Sequence, residues 1–131
     1  MAAVLLDTTV VIDLLRGRPG AARRLRALRA SEDSPYVCAI NVEETARGLL
    51  PHERESARLL FSGLRIAQLG EQEGWRAGVW RREFAARGLT LAQADCLVGA
   101  AAVSIGARLA TGNPKDFPME ELAVEHWPAG E

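Results

Sequence analysis

The chain opens with a short apolar run that ends at a carboxylate, and this run constrains the fold more than any other feature. Residues 4–6 are valine and leucine, Asp7 follows, and Thr8 or Thr9 is predicted to cap an apolar helix. An apolar strand without polar alternation is typical of a parallel sheet covered by helices on both faces. Ligands bind such sheets outside the carboxyl ends of their strands, so Asp7 is predicted to lie at a binding edge.

Strand and helix patterns alternate along the rest of the chain. Further strands are predicted at residues 36–40, 65–69 and 108–111, with an edge strand within 122–127. Helices are predicted at residues 21–30, 41–50, 51–63, 71–87 and 90–106. This alternation predicts an α/β fold, a three-layer α/β/α sandwich around a parallel sheet of four to five strands. The length of 131 residues predicts one domain, residues 1–131.

Composition narrows the class of protein. A hydrophobic content of 48% with 25% charged residues is typical of a globular protein and argues against disorder. No apolar run approaches the roughly 18 residues of a membrane span, and the first residues lack the basic segment of a signal peptide. Cys38 and Cys96 are too few for a disulfide framework, which predicts two buried thiols and a cytoplasmic location.

Arginine is concentrated in one segment although the net charge of the chain is −1. Six arginines fall in a stretch without any acid: Arg16, Arg18, Arg23, Arg24, Arg26 and Arg29. The planar guanidinium of arginine binds two phosphate oxygens at once. The segment is therefore either a solvated helix face or a basic surface for a partner beside the site, and the sequence leaves both interpretations open.

Glu44 and Asp95 are two further acids near predicted helix starts. Glu44 stands three residues after Asn41, the spacing of a capping box, so it either caps its own helix or belongs to a site. Asp95 lies on the apolar stripe of the helix that the second predicted capping box, Thr90–Gln93, would open. A carboxylate in that position is costly unless another group pairs with it or coordinates it.

Asp116 is the fourth candidate acid. It follows the predicted fourth strand, after Asn113 as a helix cap and Pro114 as the first helical residue. In a parallel sheet Asp7, Glu44 and Asp116 meet at one edge, and Asp95 projects toward it. Crowded carboxylates repel one another, and a hard divalent cation relieves that repulsion. Mg²⁺ is the predicted cofactor, Mn²⁺ suits the same oxygens, and phosphodiester hydrolysis is the chemistry they support.

These acids lie in segments that resemble the four acidic motifs of PIN-domain ribonucleases. The segments are residues 7–17, Glu44 after the second strand, Leu91-x3-Asp95-x2-Val98 and Thr111-x-Asn113-x2-Asp116-Phe117. Their order and spacing are particularly similar to those of the VapC toxins of bacterial VapBC toxin–antitoxin pairs. The resemblance implies a PIN-like sandwich whose catalytic and metal-binding residues are Asp7, Glu44, Asp95 and Asp116. Either Asp116 or Asn113 would then contact the metal directly.

The same resemblance implies a function and its partners. It implies a Mg²⁺- or Mn²⁺-dependent endoribonuclease that acts as a toxin on structured RNA such as tRNA. A cognate VapB-type antitoxin would silence it and would supply the only contact with DNA. The resemblance also implies a homodimer, which is predicted independently by apolar residues in the helices at 51–63 and 71–87, including Trp75 and Trp80.

A different class of protein is the alternative: a non-catalytic PIN-like domain or a receiver-like Mg²⁺-binding interaction module. A phosphate-binding module is disfavoured because neither Gly-x-x-x-x-Gly-Lys nor Gly-x-Gly-x-x-Gly follows the first strand. A receiver requires a phosphorylatable aspartate at the end of its third strand, where this chain has Leu69-Gly70-Glu71. The complete set of acids argues against a non-catalytic domain.

Overall fold

The computed structural model describes all 131 residues and has a five-stranded parallel sheet at its centre. The strands are β1 (Ala3–Leu6), β2 (Ser34–Cys38), β3 (Arg65–Ala67), β4 (Arg108–Thr111) and β5 (Val124–His126). Their order in the sheet is β3-β2-β1-β4-β5, and every neighbouring pair is parallel. β1 is therefore the central strand, with β2 on one side and β4 on the other.

Six α-helices cover the sheet. They are α1 (Thr8–Leu15), α2 (Pro19–Ala30), α3 (Ala39–Gly48), α4 (Arg54–Ser62), α5 (Glu71–Ala86) and α6 (Gln93–Ser104). Two single-turn 3₁₀ helices, Pro51–Glu53 and Pro114–Asp116, complete the elements. No helix in the structure is both long and apolar enough to cross a membrane.

Alternate residues of the central strands point into two separate cores. Leu5 and Leu109 belong to the larger core, which α5 and α6 cover with Trp80, Phe84 and Val98. Val4, Leu6 and Ala110 point to the opposite face, into a smaller core that holds residues of α1, α2 and α4. Helices thus lie on both faces of the parallel sheet, and the predicted three-layer sandwich is confirmed.

The capping boxes predicted at the starts of α3 and α6 were both wrong. β2 ends at Cys38, two residues before the predicted end, and α3 begins at Ala39 with Cys38 as its cap. Asn41 is consequently the third residue of α3, and Glu44 caps nothing. The helix that carries Asp95 is preceded by Ala92, which has no side-chain cap, so Thr90 does not open α6. In both places tertiary packing determines where the helix begins.

Candidate active site

Asp7 lies at the carboxyl end of the central strand. Its backbone N–H donates to the carbonyl of Ala110 at 2.9 Å, and its carbonyl accepts from Val10 and Val11, so Asp7 caps α1. Its side chain is nearly buried, with 7% of the residue exposed. The Oδ2 atom accepts hydrogen bonds from the hydroxyls of Thr111 at 2.8 Å and Thr9 at 3.4 Å. The carboxylate is therefore fixed between the ends of β1 and β4.

Burial is the main cause of a raised pKa at Asp7, because the ionised form loses its hydration. The hydroxyl of Thr111, the backbone N–H of Thr8 and the hydroxyl of Thr9 oppose this effect by donating to the carboxylate. The charge of Glu44 raises the same pKa further. Asp7 and Glu44 thus lie within electrostatic reach of one another.

Glu44 is half-buried on the second turn of α3 and is held by α1. Its Oε1 atom accepts a 2.6 Å hydrogen bond from the hydroxyl of Thr8, the first residue of α1. Thr8 Oγ1 in turn accepts from Nδ2 of Asn41 at 3.1 Å. Oδ1 of Asn41 accepts from the backbone N–H of Cys38 at 2.8 Å. A continuous hydrogen-bonded chain therefore connects the end of β2 to Glu44.

Asp95 is half-buried on the first turn of α6, where the charges of the other three acids act on it. Burial and then repulsion from Asp7, Asp116 and Glu44, in that order, raise the pKa of Asp95 from 3.8 to about 6. All three other carboxylates act on this one side chain. The structure therefore brings the four predicted acids to the same edge of the sheet.

Asp116 reaches that edge from the 3₁₀ turn after β4. The turn begins with Asn113 and Pro114 at the predicted positions, and Asp116 is half-buried. Asn113 is exposed. Its contribution to the site is its backbone N–H, which donates to the hydroxyl of Thr111 at 3.0 Å. Between these two candidates, Asp116 is the one whose charge acts on Asp95.

The donor chemistry of this edge suits a hard cation. All four acids offer carboxylate oxygens, the ligands that Mg²⁺ and Mn²⁺ prefer, and their mutual repulsion favours a divalent ion. In the arrangement described, no three acidic, histidine or cysteine side chains are close enough to ligate one ion together. The residues fit a divalent cation in chemistry and charge.

The sequence analysis did not assign four hydrogen-bonding residues to the site. Thr8 and Thr9 were considered only as helix caps and Asn41 only as a capping partner, while Thr111 was a motif residue without a role. In the structure the three threonine hydroxyls donate to acids, and Asn41 donates to the hydroxyl of Thr8. The available signal was that each of these polar residues lies at a strand end or within three residues after one.

Comparison with known proteins agrees with this fold. The chain belongs to the PIN domain family, whose model matches residues 4–121. It is 28% identical over 115 residues to ribonuclease VapC19 of Mycobacterium tuberculosis, which covers 88% of this chain and 92% of that protein. The predicted likeness to PIN-domain proteins of the VapC group is confirmed.

Solved structures give the same result. A chain of the DNA-bound VapBC complex from Salmonella typhimurium superposes with a TM-score of 0.83 at 21% identity, covering 97% of this chain and 99% of that one. A chain of a toxin–antitoxin complex from Klebsiella pneumoniae has a TM-score of 0.74 at 26% identity, with coverages of 92% and 95%. These likenesses extend over nearly the whole chain and confirm the PIN-like sandwich.

Proposed function

We propose that this protein is a divalent-metal-dependent endoribonuclease and the toxin of a VapBC-type toxin–antitoxin pair. The observation that carries the proposal is the convergence of Asp7, Asp116 and Glu44 on Asp95, whose pKa rises to about 6 through its own burial and then through their charges. Such perturbed groups collect where a protein performs chemistry. The likeness to ribonuclease VapC19 supports RNA as the substrate.

Each acid has a proposed role in holding the cofactor. Asp7, Glu44, Asp95 and Asp116 are the proposed metal ligands and catalytic residues, with Mg²⁺ as the physiological ion and Mn²⁺ as a substitute. When bound, the metal supplies an activated water and neutralises charge on the phosphate. The protein's own contribution is to hold its carboxylates in place: Thr9 and Thr111 orient Asp7, while Thr8 orients Glu44.

The arginine segment is the proposed contact surface for the RNA backbone. Arg16, Arg18, Arg23 and Arg26 are exposed and form no ion pair in the structure. The C-terminal residues relate this segment to the acids: Gly112 packs against both Ala129 and Thr9, and the carbonyl of Glu131 accepts the N–H of Gly20 on α2. Three residues span at most about 10 Å, so the first turn of α2 lies near the acidic edge.

Structured RNA such as tRNA is the proposed substrate class, and a VapB-type antitoxin is the proposed partner. The Salmonella structure that shares this fold is a VapBC complex bound to DNA, and the Klebsiella structure is a toxin–antitoxin complex. This supports the proposal that an antitoxin mediates any contact with DNA. Co-expression with the reading frame next to the gene tests the partner: a cognate antitoxin should co-purify and abolish RNA cleavage.

A homodimer is the proposed assembly, formed by the face that exposes Trp75. Trp75 on α5 is 75% exposed, the largest apolar side chain left in solvent. Trp80, the other tryptophan of the predicted interface, is instead a core residue whose Nε1 donates to Glu121. α4 covers the opposite face of the sheet, so the two helices do not present one common surface.

Cleavage of RNA by the purified protein tests the proposed activity. Labelled tRNA and an unstructured RNA oligonucleotide should both be incubated with Mg²⁺, with Mn²⁺ and with EDTA. We expect metal-dependent cleavage, preferentially of tRNA, that Asp7→Asn and Asp95→Asn abolish. Absence of cleavage with either metal, or cleavage by the variants at the wild-type rate, would overturn the proposal and favour the non-catalytic alternative.

A further inference from the structure

Asn41 is one of the few fully buried polar residues, with 0% of its surface exposed. Its amide has only one possible orientation. The backbone N–H of Cys38 donates to it at 2.8 Å, and within an amide only the oxygen accepts hydrogen bonds. The Nδ2 atom must therefore face Thr8 Oγ1, 3.1 Å away. An amide nitrogen only donates, so Asn41 fixes the role of the Thr8 hydroxyl as its acceptor.

The fixed role of Thr8 determines where its single proton points. The Thr8 hydroxyl receives one hydrogen bond from Asn41 and keeps one proton to donate. Glu44 Oε1 lies 2.6 Å away, and a carboxylate is an acceptor only. The chain of hydrogen bonds is thus directional, from the Cys38 N–H through Asn41 and Thr8 to Glu44.

We infer that Asn41 is a positioning residue that directs the Thr8 hydroxyl at Glu44 and so holds this acid in the geometry that catalysis requires. This inference rests on the proposed function, because it assigns Glu44 to the catalytic edge. Partners that orient a ligand from behind typically affect metal affinity or activity about ten- to a hundredfold when removed. Asn41 is fully buried, and it acts on Glu44 only through Thr8.

The opposite side of the site has the same design, which supports the inference. The hydroxyl of Thr111 accepts the N–H of Asn113 and donates to Asp7. The hydroxyl of Thr9 accepts the N–H of Gly112 and donates to the same carboxylate. The hydroxyls of Thr8, Thr9 and Thr111 therefore each accept one N–H and donate to an acid. Only the donor to Thr8 is a side chain, so only there can a substitution reverse the direction of the hydrogen bond.

Asn41→Asp is the sharpest test, because it changes the hydrogen-bonding direction while keeping the shape. The carboxylate introduced by this change would still accept the N–H of Cys38 and preserve the start of α3, but its second oxygen would compete with Glu44 for the Thr8 proton. Thr8→Val removes the hydroxyl without adding a charge, and Thr8→Ser retains it. Thr90→Val, in an exposed position without hydrogen-bonding partners, is the matched control.

We expect Asn41→Asp and Thr8→Val each to lower kcat about ten- to a hundredfold with an unchanged KM for RNA, while Thr8→Ser stays within about threefold of wild type. The double variant Asn41→Asp/Thr8→Val should be no slower than Thr8→Val, because both changes act through one hydrogen bond. Wild-type kcat in either single variant, or losses that multiply in the double variant, would overturn the inference. Circular dichroism verifies that each variant is folded.

Binding of Mn²⁺, followed by electron paramagnetic resonance of the free ion, gives a readout without RNA. Thr8→Val should weaken Mn²⁺ binding about tenfold, whereas Thr8→Ser and Thr90→Val should leave it unchanged. Equal Mn²⁺ affinity in Thr8→Val and wild type would contradict the positioning role. Failure of the proposed function is distinguishable: the wild-type protein would then cleave no RNA, while the Mn²⁺ measurement would still decide the role of Thr8.

Discussion

The hydroxyl of Thr111 donates a 2.8 Å hydrogen bond to the carboxylate of Asp7 across a separation of 104 residues. Thr111 ends β4, Asp7 follows the end of β1, and the two strands are neighbours in the sheet. Thr111 is fully buried and Asp7 is 7% exposed, so water competes little for this hydrogen bond. This bond joins the two halves of the acidic edge and holds the most buried of its carboxylates.

Thr111→Val should destabilise the protein by about 1–3 kcal/mol, because it leaves the buried Oδ2 of Asp7 with only the 3.4 Å bond from Thr9 and the Asn113 N–H without its acceptor. The Thr111 bond lowers the pKa of Asp7, so its loss raises that pKa further above the unfolded value. The destabilisation should therefore be larger at pH 8 than at pH 4. Urea unfolding at both pH values measures it, and Thr111→Ser, which keeps the hydroxyl, should lose much less.

Asp95→Asn should abolish cleavage and stabilise the metal-free fold. The folded pKa of Asp95 is about 6 against an ordinary 3.8, so the wild-type protein loses stability as the pH rises through that window. The asparagine variant avoids this loss, and its advantage should grow from near zero at pH 4 to on the order of 1–2 kcal/mol at pH 7.5.

Thermal unfolding with and without Mg²⁺ measures both effects of this substitution. Mg²⁺ should raise the Tm of the wild-type protein at pH 7.5 more than that of Asp95→Asn. Glu83→Gln, an exposed acid on α5, is the control and should behave as wild type. Equal Tm values for wild type and Asp95→Asn at both pH values would show that the carboxylates are not crowded.

Charge reversal on α2 should weaken RNA binding without affecting chemistry. In the double variant Arg23→Glu/Arg26→Glu we expect a higher KM, a kcat within about twofold of wild type and a shallower dependence of cleavage on salt. Arg65→Glu/Arg82→Glu makes the same charge change at exposed arginines outside the segment. If both double variants raise KM equally, the segment is an ordinary solvated face.

The proposed homodimer should depend on Trp75. Trp75→Glu replaces the exposed tryptophan of α5 with a charged residue and should give a monomer by light scattering at micromolar concentration. Leu59→Glu on α4, which is 58% exposed on the other side of the sheet, should remain a dimer. A monomeric wild-type protein, or a dimer that only Leu59→Glu dissociates, would contradict this assignment.

The sequence was sufficient to predict the sheet, its parallel strands and the four acids at one edge. These features depend on local patterns: apolar runs, helix periodicity and the residue that follows each strand. The sequence was insufficient for Asn41, because the end of β2 is set by pairing that aligns Cys38 with Ala67 of β3. Because β2 ends two residues earlier than predicted, the side chain that completes the capping box of α3 is that of Asn41 and not that of Glu44.

The threonine hydroxyls were beyond sequence reasoning for a related reason. Thr8 bonds a residue 36 positions away, and Thr9 receives the N–H of Gly112 from 103 positions away. A local pattern shows that a threonine suits a helix start, which was the predicted role of Thr8 or Thr9. It does not show that Asp7 is the N-cap residue of α1, which leaves both threonine hydroxyls free to donate to acids.

The central position of β1 has a consequence for protein synthesis. β1 is made well before its neighbour β4 and the last acid, Asp116, which leave the ribosome only after more than a hundred further residues have been added. At about 5–20 residues per second, a nascent chain spends several seconds with the edge of β1 uncovered and Asp7 without Thr111. Under the proposed function, the acidic site of a growing chain is therefore incomplete until β4 and Asp116 have emerged.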